Sequence, residues 1–145
     1  MEISKKQYDQ MVKKASPPST VVKNMIFAFL IGGAICAIGQ IINTLYGNYI
    51  TNAEDVSSLT SMTMIFLGAL LTGLNVYDDI AKYGGAGTLV PITGFANSIV
   101  SPAMEFRTEG YVLGVGANMF KIAGPVLVFG ISASVIYGMI HFWLR

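Results

Sequence analysis

From Met25 to Leu45 the chain is apolar and carries no charged side chain. An α-helix rises 1.5 Å per residue, so a span from Asn24 to Tyr46 covers roughly 33 Å, enough for a hydrocarbon core of about 30 Å. Lipid admits such a segment as a helix, because a helix satisfies its own backbone hydrogen bonds. The run exceeds the roughly 7–15 apolar residues of a cleavable signal core, and a long basic region precedes it. Ala34-Ile35-Cys36 is a poor lipid-attachment site, since a bulky isoleucine stands before the cysteine. The run therefore reads as a retained span. Composition agrees, with 53% hydrophobic and 12% charged residues, against roughly 25% charged in a soluble domain. The 145 residues suit one unit. It divides into a basic amphipathic segment, 1–20, and a helical transmembrane domain, 21–145.

The expected fold is all-α, a polytopic integral membrane protein of about four membrane segments. Residues 4–15 read as a short amphipathic helix, with Ser4 and Gln7 forming a capping box. Tyr8, Met11, Val12 and Ala15 share one face and Lys6 and Lys13 lie toward the other, a pattern that suits a bilayer surface. Pro17 and Pro18 stop it. A loop over 47–58 follows the first span. The second span runs from about Leu59 to Tyr77 and either ends there or continues through Asp78 and Asp79 to Lys82. Gly84-Gly85-Ala86-Gly87 lacks the Gly-Lys-Ser/Thr of a nucleotide loop and reads as a flexible break.

Residues 88–104 are apolar but hold Pro91, Gly94 and Pro102. They form either a straight helix with Pro91 in its first turn, where proline is tolerated, or a broken or re-entrant segment lined by protein. From Tyr111 to Leu144 the chain is apolar apart from Asn118, Lys121 and His141, with Gly124-Pro125 offering a kink. Five early lysines, up to Lys23, place the N-terminus in the cytoplasm. The loop over 47–58 has no lysine or arginine, and Lys82 returns inside. Four crossings, the favoured count, bring Arg145 inside. A re-entrant third segment leaves three, with Arg145 outside.

Small and polar residues recur every three or four positions, so they stack on one face of each segment. These stripes are Gly33, Cys36, Gln40 and Asn43; Ser61, Gly68, Thr72, Asn75 and Asp79; Gly87, Pro91, Gly94, Ser98, Ser101 and Glu105; and Gly114, Ala117, Asn118, Lys121 and Gly124. Each stripe serves close helix packing or the lining of a passage. The candidate pathway or ligand residues are Gln40, Asn75, Asp79, Asn97, Glu105, Arg107, Glu109, Asn118 and Lys121. Buried amides need partners or water. A lysine at mid-membrane marks a pathway, unless its stem carries the charge back to the interface. Glu105 and Glu109, four apart, would share a helical face. No nucleophile–base set or HExxH zinc motif accompanies them, so neither catalysis nor a cofactor is expected. One cysteine rules out an internal disulfide, and a net charge of +1 gives no pull on nucleic acid.

Several stretches together resemble the stage V sporulation protein AC family of endospore-forming Firmicutes. They are 28–40, Leu70-Leu71-Thr72-Gly73 with Tyr77-Asp78, Gly84-Gly85-Ala86-Gly87, 90–98, Glu105-Phe106-Arg107-Thr108-Glu109-Gly110 and 113–124. The region 47–58 is the least similar. The resemblance implies a multi-pass protein of the inner membrane of the spore or forespore. It implies movement of dipicolinate, often with calcium, in sporulation and germination, through a tension-gated channel. Other membrane proteins of the stage V sporulation A operon would be its partners, and an oligomer is expected. The family carries no assigned binding residues over. A dianion in a low-dielectric passage would need cations or amide donors such as Lys121, Arg107 or Asn118. The alternative is a non-conducting structural subunit of a multi-protein complex.

Overall fold

The computed structural model describes residues 5–16 and 20–144, and every element among them is helical. Ser4, Pro17, Pro18, Arg145 and the side chains of Lys6 and Lys13 lie outside the described residues, and with them the capping box, the proline stop and the C-terminal anchor. The elements are α1 (Lys5–Ala15), α2 (Val21–Gly47), α3 (Ala53–Gly73), α4 (Val76–Gly84), α5 (Pro91–Glu105) and α6 (Ala117–Leu144). Two 3-10 turns, Gly85–Thr88 and Phe106–Glu109, and a π turn, Tyr111–Gly116, complete the chain. Three helical stretches are long and apolar enough to cross a membrane: Val21–Gly47, Ala53–Gly73 and Tyr111–Leu144.

The second span starts earlier than the apolar pattern suggests. Asn52 caps it by accepting a hydrogen bond from the Glu54 amide at 3.1 Å, and Glu54 and Asp55 suit the positive end of the helix dipole. The loop over 47–58 thus shrinks to the few residues between α2 and α3. The span does not run on to Lys82. Asn75 takes a left-handed backbone, φ 59°, which asparagine tolerates better than most residues, and α4 leaves in a new direction. Antiparallel packing joins α2 to α3. Met64 lies against Gly39, and Asn43 Nδ2 donates to Thr60 Oγ1 at 3.3 Å.

The third segment takes the straight form, one helix with Pro91 in its first turn, and the irregular backbone falls just before it. After α4 the Gly85–Thr88 turn lodges against α2, in a notch that Ala28 and Gly32 leave by being small. A Cβ on Gly32 would come within 3.0 Å of the Gly87 carbonyl oxygen. Then α5 begins at Pro91, where a missing amide hydrogen costs nothing. It packs between α3 and α6. In the last segment the helix passes through Pro125 without a break. The irregularity falls at the π turn instead, where Gly114 lies against the backbone of Phe106 and Glu109. Beyond Ala123, which is fully buried, α6 is almost wholly exposed to what would be lipid.

Candidate functional site

The most polar buried surface lies where α3, α4 and α5 meet. Gly68 lets the backbone of α5 approach, since a Cβ there would stand 3.2 Å from Thr93 and 3.4 Å from Ala96. One turn on, Thr72 is 6% exposed. Its hydroxyl donates toward the Gly68 carbonyl at 2.7 Å and Asn97 Oδ1 at 2.9 Å. Tyr77, 3% exposed, donates to the Thr88 carbonyl at 2.7 Å and lies 3.4 Å from Thr93 Oγ1. Below Thr72 the seam opens into a cleft of about 350 Å³ lined by Thr72, Asn75, Asp78, Ser101, Met104 and Glu105. Among the described residues, no buried side-chain nitrogen or oxygen lacks a partner.

Of the residues singled out from sequence, Asn75, Asn97 and Glu105 meet at this seam. Asp79 does not; it pairs with Lys82 at 2.7 Å on the exposed side of α4, while its neighbour Asp78 enters the cleft. Glu109 does not share a helical face with Glu105, because α5 ends at Glu105 and Glu109 lies in the following 3-10 turn with Arg107, both exposed. Gln40 faces outward and reaches only Thr44 of its own helix, at 3.5 Å. Asn118 Nδ2 donates to the Gly114 carbonyl of its own segment at 2.7 Å. Lys121 is exposed, and its ammonium sits 6.0 Å from the centre of the Phe106 ring. Its stem thus carries the charge back toward the charged turn.

Thr72 and Ser101 belonged to the small polar stripes but not to the site expected from them. Tyr77, Asp78, Thr88 and Thr93 gave less signal. The stripe drawn through Gly94 and Ser98 is rotated from the face that α5 turns to α3. Gly94 packs on its own Thr88 and Leu89, and Ser98 donates to the Phe95 carbonyl at 2.8 Å. The spacing Thr93, Asn97, Ser101, Glu105, four apart throughout, is the pattern that marks the seam. Among the described residues, no group of three histidine, cysteine or acidic side chains could hold a metal ion.

Tyr77 tests how far this seam depends on its polar bonds. Tyr77→Phe leaves the buried Thr88 carbonyl without its donor, at a cost on the order of 1–2 kcal/mol. The thermal midpoint in detergent should fall, while helix content at low temperature stays unchanged.

Comparison with known proteins places the chain among sporulation proteins. The profile of the SpoVAC/SpoVAEB sporulation membrane protein family matches residues 24–140. The stage V sporulation protein AC of Bacillus subtilis (strain 168) is 48% identical over 139 residues, covering 95% of this chain and 93% of that protein. No solved structure matches.

Proposed function

This chain belongs to the SpoVAC/SpoVAEB sporulation membrane protein family, and from that premise we propose that it is a channel, or a channel subunit, for dipicolinate and calcium across the inner membrane of the spore. The observation that carries the reading is the polar seam between α3 and α5, which runs from the Thr72–Asn97 bond to the cleft at Asp78 and Glu105. Carboxylates in a membrane domain are costly and commonly mark pathways, and here the Thr72–Asn97 bond leads to two of them.

The charge of the cleft favours one form of the cargo. Two carboxylates repel a free dianion but not its calcium complex, in which the metal cancels the ligand's charge. Arg107, next to Phe106 in the chain, and Lys121, whose ammonium lies 6.0 Å from that ring, are both exposed and would gather anions near the mouth. Above the cleft the seam is closed by the contacts of Gly68 with Thr93 and Ala96. This is a resting state, and membrane tension would favour any state that occupies more area. Several copies or partner subunits of the same membrane complex would complete a path, since one chain offers few helices to enclose it.

The same closure supports a second reading. Every buried polar side chain described has a partner within the chain, as a non-conducting structural subunit also requires. Purified protein in liposomes separates the two. A channel releases entrapped dipicolinate on osmotic downshift, faster when calcium is present. Vesicles that hold their contents at tensions just short of lysis would leave the scaffold reading standing.

A further inference from the structure

We infer that Val76–Glu105 is a re-entrant hairpin that enters and leaves the membrane on the same face, so that the chain crosses three times and its two ends lie on opposite sides. The direction of α5 carries this. Gly68 of α3 meets Thr93 and Ala96, Thr72 meets Asn97, and Asn75 and Asp78 share a cleft with Ser101 and Glu105. Residue numbers rise together along both helices, so α5 runs parallel to α3. A fourth crossing would have to run back against α3. Instead α5 heads for the side on which α3 ends.

Length and depth agree. The 15 residues of α5 cover roughly 22 Å, short of a core of about 30 Å. The turn before it rests between Ala28 and Gly32, roughly 10 and 16 Å along α2 from Val21. It therefore lies within the apolar length of α2, not at its end.

Unwound backbone at that depth survives only if protein satisfies it, and here it does. The Thr88 carbonyl accepts from Tyr77, the Gly85 carbonyl accepts from Thr88 Oγ1 at 2.9 Å, and the Gly94 amide donates to the Val90 carbonyl at 2.8 Å. Tyr77, Gly84, Thr88, Thr93 and Ala96 are all buried, as an inner segment requires.

Charge agrees by a margin of one residue. With three crossings, Lys82, Arg107 and Lys121, whose ammonium reaches Phe106, share the side of the N-terminal lysines and Arg145 alone is opposite; with four, Arg145 returns but Arg107 and Lys121 lie opposite, a poorer fit to the positive-inside bias. The cleft at Asp78 and Glu105 then opens toward the N-terminal side of the membrane.

The test places single cysteines in the full chain on a Cys36→Ser background, which removes its one native thiol. Ser16→Cys, Thr51→Cys, Thr108→Cys and Leu144→Cys are labelled with an impermeant maleimide, in intact cells and after permeabilisation. Thr51→Cys and Leu144→Cys should label in intact cells, with loss of labelling at Ser16→Cys and Thr108→Cys until the membrane is opened. Thr108→Cys labelling with Thr51→Cys, and Leu144→Cys grouping with Ser16→Cys, would overturn the inference. A C-terminal alkaline phosphatase fusion to the native chain reads the same point without any substitution: activity supports three crossings, and silence beside an active fusion at residue 51 refutes them.

Discussion

Gly87→Ala should leave little correctly folded protein. A Cβ there would overlap the carbonyl oxygen of Ala28 and lie 2.7 Å from the carbonyl carbon and Cα of the same residue. All three are backbone atoms of α2, so no rotamer change can relieve the overlap. The Gly85–Thr88 turn would have to lift out of its notch, drawing with it the Tyr77–Thr88 bond and the start of α5. The cost is about 3 kcal/mol, at the upper end of what overpacking does to a core. Detergent-extracted Gly87→Ala should aggregate or elute as a broad peak in size exclusion. Gly138→Ala, where a Cβ meets nothing within 4 Å, should behave as the parent does. A well-folded Gly87→Ala with an unchanged thermal midpoint would mean that the turn does not dock on α2.

The second large effect separates stability from transport. Thr72→Val removes the donor that Asn97 Oδ1 faces inside the seam. It should lower stability by on the order of 1 kcal/mol, within the range of membrane hydrogen bonds. Asn97→Leu costs less, because the Thr72 hydroxyl keeps its bond to the Gly68 carbonyl. The double variant leaves neither group orphaned and should recover most of the loss, as paired apolar replacements do. If the seam is the path, its flux in liposomes should nevertheless fall by about tenfold, the effect of roughly 1.4 kcal/mol on a barrier. If the chain is a scaffold, the double variant should support germination in spores as the parent does. A folded double variant with undiminished flux would remove the seam from any path.

What could be read beforehand followed locality. The helix of α2 was legible because hydropathy over some twenty residues is a local sum, and the structure extends it by only a few residues at its start. Pro91 at the start of α5 was legible because proline's preference for a first turn is local too. The left-handed turn at Asn75 was not, since asparagine occurs freely in helices and only packing against α5 fixes the chain's departure. Glu105 was singled out from the sequence with Glu109 as its companion, and the structure changes the companion. Its partner in the cleft is Asp78, from a distant part of the chain, and not Glu109, four residues on. Lys121 carried the strongest signal from sequence. The signal fades in the structure because a long stem lets the charge leave the depth of its own Cα.

The sequence alone determined the medium of this protein, its helical class and its family. Each of these depends on runs of side chains whose effect is the same whatever they later touch. Only the tertiary structure decided that α5 runs alongside α3 in the same direction, and that Asp78 and Glu105 face one cleft. Direction across a membrane is set by which small residues let which backbones approach, here Gly68 to Thr93 and Gly87 to Ala28. Periodic spacing marks a face within each segment, but it does not say which face of a distant segment that face meets or in which direction.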